Sequence, residues 1–247
     1  MIGKILFAGD RAEALALLSK GDAVLYGGGT ELNRLGSLIK AENAVVLAEP
    51  EGGISTRQGR IRYALGTTFQ AAIDHPKTPA YMREALAFMG SLQKREAATI
   101  AGNLYLHRDD SYLVPTLLAA GAVVELDWKD EISAEEYLAS FDSLRQRIIS
   151  CVSVPLKAPV VSKRIAMTKE SLAVLTAAAA NPDFAWAAVK GTGIVKVGFS
   201  DVKCENCVAR ALNQAGVRFV SDIYGSDEYK AYLTKTVLFD LHKEAGR

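Results

Sequence analysis

Three consecutive glycines directly after a short apolar segment constrain the fold of this chain more than any other feature. Ala23–Tyr26 is predicted to form a buried strand, and Gly27–Leu32 (GGGTEL) follows it directly. Glycine adopts positive φ readily and, without a Cβ, lets another group approach the main chain closely. Successive N–H groups in such a turn can form a concave site for phosphate oxygens, and Thr30 can add a hydroxyl donor. The segment therefore predicts either a phosphate-binding turn or a tight strand-to-helix turn without a ligand.

The spacing of these glycines does not match two common phosphate-binding motifs. Neither G-x-G-x-x-G nor a Walker loop is present, because the required spacing and the lysine are missing. The sequence therefore does not support a Rossmann NAD domain.

A second segment of small and amide-bearing residues runs from Thr99 to Asn103 (TIAGN) and is predicted to be a loop. The N–H of Gly102 and the side chain of Asn103 are candidates to contact another phosphate or a ribose. Taken alone, this pattern favours a plain structural turn.

A polar cluster, His107–Asp110, follows this segment and allows two interpretations. The cluster could hold the edge of a cofactor or take part in acid–base chemistry. It could equally cap a helix that starts at Ser111, where the helix dipole favours acidic side chains, and we favour this capping role. Tyr105 and Tyr112 nearby could stack on a planar ring, although tyrosines more often pack at the margin of a core.

Cys204 and Cys207 form a C-x-x-C pair, which is typical of thiol redox exchange or of half a zinc site. A zinc ion would need four ligands, but the only other cysteine is Cys151 and the three histidines are scattered. Two cysteines on one face of a helix are the simpler interpretation, and we predict no metal site.

Composition narrows the class of protein further. With 49% hydrophobic residues, 23% charged residues and a net charge of +1 over 247 residues, the chain is predicted to be globular rather than disordered. The near-neutral charge argues against nucleic-acid binding. No apolar stretch approaches the ~20 residues that span a bilayer, and the N-terminus has no signal-peptide pattern. We expect a cytoplasmic protein without a membrane span.

Periodicity and capping signals predict alternating helices and strands. Strands are expected at residues 44–47, 61–65 and 122–126 and within 186–197. Helices are expected after the capping box of Asp10 and Glu13, at 79–88 and 111–120, and twice near the C-terminus. The last helix is expected to begin near Ser226 and to place four apolar or aromatic residues along one side: Tyr229, Tyr232, Leu233 and Val237.

The glycine segment and the Thr99–Asn103 segment together resemble the FAD-binding subunit of molybdenum hydroxylases, the group that includes xanthine dehydrogenase and carbon monoxide dehydrogenase. The usual family patterns are A-G-G-T-D-L and A-T-I-G-G-N. Leu65–Thr68 (LGTT) is similar to the family's I-G-A-x-T segment, and Leu113–Ala122 is similar to its L-V-P-A-L-L-A-L-G-A run. The resemblance covers essentially the whole chain and is strongest from Tyr26 to Leu126.

The resemblance implies an α+β fold with a two-lobed FAD-binding domain of the vanillyl-alcohol-oxidase or CO dehydrogenase flavoprotein type. This domain would span residues 1–155, with lobes at about 1–53 and 54–155. A small α+β C-terminal domain of the CO dehydrogenase flavoprotein type would occupy residues 156–247.

The resemblance also implies FAD as the cofactor, held between the lobes, whereas catalytic residues stay unknown. The diphosphate would lie at the two paired segments, with residues 66–68 nearer the flavin and Lys163 beside it. The implied cofactor-binding residues are Tyr26, Gly27, Gly28, Gly29, Thr30, Glu31, Leu32, Gly66, Thr67, Thr68, Thr99, Ala101, Gly102, Asn103, Asp109, Asp110 and Lys163.

Three positions depart from the family pattern and indicate a divergent bacterial branch. Gly27 stands where alanine is usual, and Ala101 replaces a glycine, which is tolerable only if φ at residue 101 is negative. Tyr112 stands where the family often has an aspartate that contacts the cofactor. Asp109 or Asp110 could take over that contact.

The function implied by the resemblance is electron transfer within a molybdenum hydroxylase complex. A molybdopterin-binding large subunit and a [2Fe–2S] small subunit would be the partners, and NAD or another acceptor would receive the electrons. A [2Fe–2S] cluster usually needs four cysteines, so hydroxylation would require those partners. Two alternatives stay open: a non-catalytic assembly subunit that has lost FAD, and a stand-alone flavin oxidoreductase.

Overall fold

The computed structural model describes residues 2–35, 41–47, 53–144, 146–199 and 204–246, in which helices and strands are interspersed. The strands are β1 (Lys4–Ala8), β2 (Ala23–Leu25), β3 (Asn43–Leu47), β4 (Ile54–Arg57), β5 (Arg60–Ala64), β6 (Val123–Leu126), β7 (Asp130–Ser133), β8 (Ile149–Pro155), β9 (Val161–Ala166), β10 (Ala173–Ala179), β11 (Phe184–Val189) and β12 (Gly193–Gly198). The helices are α1 (Arg11–Leu18), α2 (Thr30–Leu35), α3 (Phe69–Asp74), α4 (Ala80–Ala87), α5 (Leu92–Ala97), α6 (Ile100–Tyr105), α7 (Val114–Ala119), α8 (Ala134–Ala139), α9 (Phe141–Leu144), α10 (Glu205–Gln214) and α11 (Asp227–Ala245).

The first sheet is parallel and has the strand order β1-β3-β2. Helix α1 begins where predicted, because Asp10 accepts a hydrogen bond from the N–H of Glu13 at 2.9 Å. The Glu13 carboxylate in turn accepts one from the N–H of Gly9 at 2.7 Å. Such bonds satisfy donors that the start of a helix leaves unpaired. The glycine turn leaves this sheet at the end of its edge strand β2.

The second sheet is antiparallel and has the order β4-β5-β8-β6-β7. In β5 the fully buried residues alternate, because one face of the sheet carries the helices and the other does not. Ile61 and Tyr63 join Leu104 of α6 and Leu117 of α7 in one hydrophobic core. This core fixes α6, and therefore Thr99–Asn103, against the sheet.

The third sheet is antiparallel, with the order β12-β11-β10-β9, and it lies between two groups of helices. Every residue of β10 is buried. Ala178 belongs to the core around α7, whereas Ala177 and Ala179 face a second core formed with α10 and α11. Burial on both faces explains why this strand appears in the sequence as a continuous apolar run.

A buried lysine ties α11 to the rest of the chain. The ammonium of Lys230 is fully buried and donates to the carbonyl oxygens of Lys190 at 2.8 Å and Val220 at 2.7 Å. It also pairs with Asp222 at 2.8 Å. These partners supply the compensation that a buried charge requires.

The structure agrees with most predicted elements and corrects three of them. Residues 100–105 form α6 rather than a loop, and the helix expected from Ser111 begins at Val114. The predicted side of α11 was wrong, because Tyr229 and Tyr232 are exposed. Its buried residues are Lys230, Thr234, Val237, Leu238 and Leu241. The hydrogen bonds of Lys230 allow a charged residue to take the core position that an apolar residue was expected to occupy.

The mixture of helices with one parallel and two antiparallel sheets confirms the predicted α+β class. The three sheets lie within residues 4–47, 54–155 and 161–198. The domain boundaries near residues 53 and 155 stay a prediction. Within the described ranges, no helix is both long enough and apolar enough to cross a membrane.

Candidate functional site

The glycine turn joins β2 to α2, and protein contacts require two of its three glycines. A Cβ built on Gly28 would lie 1.5 Å from the carbonyl oxygen of Ala97, so the two main chains touch at this point. Gly29 has a φ of +66°, and a Cβ there would lie 2.1 Å from the hydroxyl oxygen of Tyr26. Any other side chain would clash at both positions. The turn is therefore held tightly against the segment that precedes α6.

Thr99 is the N-cap of α6, and its hydroxyl oxygen accepts a hydrogen bond from the N–H of Gly102 at 3.0 Å. The sequence predicted this N–H as a phosphate contact, but the cap uses it. Asn103 accepts a hydrogen bond from the Ser111 hydroxyl at 2.8 Å. Ser111 also accepts one from the N–H of Val114 at 3.1 Å, so its hydroxyl, rather than Asp109 or Asp110, satisfies the first N–H of α7, whose N-cap residue is Leu113.

The glycine turn and the start of α6 line one cleft, as the pairing of the two segments predicted. This glycine cleft has a volume of about 110 Å³. From the two segments it is lined by Gly27, Gly28, Gly29, Thr30, Glu31, Leu32, Thr99, Gly102 and Asn103. A side cleft of about 300 Å³ adjoins it, and Leu25, Gly27 and Tyr105 line both. Ala101 lines the side cleft.

The main-chain N–H groups of residues 27–32 donate to no acceptor within the part of the chain that the structure describes. The unpaired N–H groups end at residues 27 and 32, because the N–H groups on either side are hydrogen-bonded. Tyr26 N–H donates to Val45 O at 2.7 Å, and Asn33 N–H donates to Gly29 O at 2.9 Å. Residues 30–32 form the first helical turn, where N–H groups lack intrahelical partners and favour anions. The glycine cleft therefore suits anionic oxygens such as those of phosphate.

A charged cluster, Glu31–Arg108–Asp110–Lys190–Asp109, connects the glycine cleft to the end of β11. Arg108 pairs with Glu31 and, at 2.5 Å, with Asp110. Lys190 pairs with Asp110 at 3.1 Å and with Asp109 at 2.8 Å. Burial opposes ionisation of Asp110, which is only 2% exposed, but hydrogen bonds and charge from Arg108 and Lys190 hold its pKa below the usual value. Asp110 is therefore a carboxylate at neutral pH.

Some residues that the resemblance implied for FAD line neither cleft. Thr67 accepts a hydrogen bond from Ile100 N–H at 3.1 Å through its carbonyl oxygen, and Thr68 caps α3 by accepting one from Ala71 N–H at 3.1 Å. The first contact holds the start of α6, and the second holds the start of α3. The predicted residues outside both linings are Tyr26, Gly66, Thr67, Thr68, Asp109 and Lys163.

Lys163 lies on β9, and its ammonium pairs with Glu244 of α11 at 2.6 Å. Asp109 accepts a hydrogen bond from the N–H of Gly191 at 2.7 Å. Both side chains thus have partners from the C-terminal part of the chain. Their assignment to the cofactor stays a prediction.

Several lining residues were missed by sequence reasoning. Arg108, Met89 and Leu172 line the glycine cleft, and Gln146 and Arg147 line the side cleft. Arg108 carried a signal, because it lies in the polar cluster that follows Asn103, but that cluster was assigned to capping. The other four lie in unrelated parts of the sequence and only the fold brings them to the clefts.

Comparison with known proteins gives a consistent result. Residues 3–157 match the model of a family described as the FAD binding domain in molybdopterin dehydrogenase. The uncharacterized protein YgfM of Escherichia coli (strain K12) is 29% identical over 230 residues, which cover 90% of this chain and 88% of YgfM.

Solved structures with the same fold include a quinoline 2-oxidoreductase from Pseudomonas putida 86, with a TM-score of 0.81 and 18% identity. The match covers 99% of this chain and 96% of the oxidoreductase chain. A carbon monoxide dehydrogenase from Hydrogenophaga pseudoflava matches with a TM-score of 0.83 and 16% identity. The match covers 99% of this chain and 97% of the dehydrogenase chain. These likenesses confirm the predicted fold.

Proposed function

The chain belongs to the family of FAD-binding domains in molybdopterin dehydrogenases, with FAD as its cofactor, and from this premise we propose that it is the electron-transfer subunit of a xanthine-dehydrogenase-like molybdenum hydroxylase. In this proposal the chain takes electrons from the iron–sulfur clusters of a partner subunit. It then delivers them to NAD or another acceptor. The chain is thus an oxidoreductase subunit that does not hydroxylate a substrate by itself.

The observation that carries this proposal is the shared glycine cleft. Two segments far apart in the sequence, residues 27–32 and 99–103, line one cavity, and one of them offers a continuous run of unpaired main-chain donors. A diphosphate carries the anionic oxygens that such donors bind best. The cleft therefore fits the diphosphate of FAD.

Bound FAD supplies the redox chemistry, because a flavin accepts and releases electrons. The role of this chain is to bind and orient the cofactor. We assign the diphosphate to the N–H groups of residues 27–32 together with the Thr30 hydroxyl. Tyr105 lines both clefts, and we assign its ring to contact with a planar ring of the cofactor. Arg108 and Asp110 neutralise each other and fix the wall of the glycine cleft.

Two departures from the family pattern are compatible with a retained cofactor. Ala101 is helical, so its φ is negative and its methyl group is tolerated. Tyr112 has its own contacts: Arg164 lies 5.1 Å above its ring, and its hydroxyl donates to Ser171 O at 3.2 Å. Asp110 is the carboxylate that lines the cleft near Tyr112.

The proposed partners are a molybdopterin-binding large subunit and a [2Fe–2S] small subunit. The structure of the carbon monoxide dehydrogenase with the same fold is described as lacking the Mo-pyranopterin moiety of the molybdenum cofactor. That description implies that the enzyme normally carries such a cofactor, which supports this assignment by analogy. A cytoplasmic location belongs to the same proposal.

Flavin titration of the purified chain tests cofactor binding. We expect one FAD per chain, and we expect FMN to bind much more weakly because it lacks the diphosphate. A reduced [2Fe–2S] ferredoxin should then bleach the absorbance of the bound flavin, and NAD should restore part of it. The Gly28→Ala variant should bind FAD more weakly, because its added Cβ would push the glycine turn away from Ala97.

Other outcomes of these experiments would indicate a different function. A correctly folded chain that binds neither flavin would be an assembly subunit that has lost its cofactor. Rapid steady-state oxidation of NADH by the isolated chain would identify a stand-alone flavin oxidoreductase. Equal affinity for FAD and FMN would show that the glycine cleft does not hold a diphosphate.

A further inference from the structure

Cys204 and Cys207 form a pair at the start of α10 that the FAD site does not use. Cys204 is the exposed N-cap residue, and Cys207 is a buried residue of the first turn. Their sulfur atoms are 2.9 Å apart. Because positions i and i+3 lie on the same face of a helix, a bond of about 2.05 Å between these atoms needs only a small side-chain rotation.

The surroundings of the two thiols give them different accessibility. Cys207 packs with Val208 and Leu212 in the core beneath the third sheet, and the Arg210 guanidinium lies 3.4 Å from its sulfur. A reagent in solution therefore meets Cys204 first. Only after reaction at Cys204 would Cys207 take part, from the buried side.

A metal site is not the interpretation that the contacts favour. Throughout the described ranges, no group of three or more His, Cys, Asp or Glu side chains is placed to hold a metal ion. A structural zinc site would need four such ligands. The third cysteine, Cys151, is buried on β8, and burial raises its pKa to about 11.

We propose that Cys204 and Cys207 are a thiol–disulfide exchange site for low-molecular-weight disulfides, with Cys204 as the attacking residue and Cys207 as the resolving residue. The Cys204 thiolate first bonds to one sulfur of the external disulfide and expels the other half as a thiolate. Cys207 then loses its proton to solvent and attacks the Cys204 sulfur, which expels the second half.

The atoms and electrons of this exchange balance without a further reactant. The pair loses two electrons and two protons, and the external disulfide is reduced to two thiols. The product is a bond between Cys204 and Cys207 that links the N-cap of α10 to its first turn. A dithiol reductant reverses the reaction.

The test uses the whole chain in glutathione buffers of increasing oxidised fraction. After acid quenching and alkylation, peptide mass spectrometry should show the Cys204–Cys207 disulfide rising with the oxidised fraction. Cys151 should stay fully alkylated under denaturing conditions. Dithiothreitol should remove the disulfide completely.

Three variants separate the roles of the cysteines. Cys207→Ser should stop at a glutathione adduct on Cys204, and Cys204→Ser should form no adduct. Cys151→Ser is the matched control and should oxidise like the natural chain. If a variant does not fold, the natural chain still tests the roles. Cys204 should be alkylated at least about tenfold faster than Cys151, and a glutathione adduct on Cys204 should convert to the Cys204–Cys207 disulfide.

Three results would overturn the proposal. The first is an adduct on Cys204 of the natural chain that never resolves to the disulfide. The second is an alkylation rate at Cys204 no higher than that at Cys151. The third is zinc that purifies with the chain and protects both thiols, which would make the pair part of a metal site.

Discussion

Replacing Gly28 with alanine should weaken both the fold and the binding of FAD. The added Cβ would lie 1.5 Å from the Ala97 carbonyl oxygen and 2.4 Å from its carbonyl carbon. Because carbon–oxygen contacts need more than 3 Å, the two segments must separate by roughly 2 Å. Both collision partners are main-chain atoms, so a side-chain rotation cannot relieve the clash.

Overpacking of this kind costs about 2–3 kcal/mol of unfolding free energy. The same displacement moves the glycine turn away from Thr99, so FAD affinity should fall at least about tenfold, which corresponds to about 1.4 kcal/mol. Urea unfolding of the FAD-free chain measures the first effect, and flavin titration measures the second.

Gly27→Ala is the matched control for this experiment. Its Cβ would lie 3.4 Å from the Thr99 hydroxyl oxygen, which is an ordinary contact. Neither Gly27 nor Gly28 has a positive φ, so alanine can adopt the native φ at either position. Both variants also lower the entropy of the unfolded chain to a similar extent, so this effect cancels in the comparison. If the two variants were equally stable and bound FAD equally well, contact with Ala97 would not be what shapes the cleft.

Substitutions at three further positions test other contacts. Asp110→Asn should cost about 2–3 kcal/mol near neutral pH. Because the folded-state pKa of Asp110 lies below the unfolded value of about 3.9, this difference should shrink as the pH falls below about 3.9 and disappear only below the folded pKa. Urea unfolding from pH 7 to about pH 3 measures the onset of this loss, and a deficit that stays constant down to about pH 3 would contradict the ion-pair role. Lys230→Met leaves Asp222 and two carbonyls without their donor and should cost about 3–5 kcal/mol in urea unfolding, so a loss below about 1 kcal/mol would contradict our account of α11. Thr99→Ala removes the cap of α6 and should cost about 1 kcal/mol in thermal unfolding, whereas Thr99→Ser keeps the hydroxyl and should remain close to the natural chain.

Some elements could be predicted from local signals in the sequence alone. The capping box of Asp10 and Glu13 depends on neighbouring residues alone, and α1 begins where it predicted. The pairing of the two cofactor segments was also predictable, because the family pattern names both. A single segment would not have sufficed, since glycine turns occur without ligands.

Contacts between distant residues account for what the sequence did not predict. The side of α11 that is buried depends on carbonyl groups at residues 190 and 220, which lie outside the helix. The role of Arg108 depends on Glu31, 77 positions earlier in the chain. Thr99 could begin a loop or a helix, and only packing of α6 against the second sheet decides between them.

The contact between Gly28 and Ala97 has an evolutionary consequence. A descendant chain that no longer carried a nucleotide would still need glycine at position 28, because a carbonyl of the same polypeptide occupies the space. Mutations would accumulate first at groups whose only role is to bind the ligand. We assign such a role to the Thr30 hydroxyl, which has no hydrogen-bond partner among the described residues. In such lineages the glycines at positions 28 and 29 would be retained even after FAD binding is lost. The residue at position 30 would therefore indicate better than these glycines whether a chain still binds FAD.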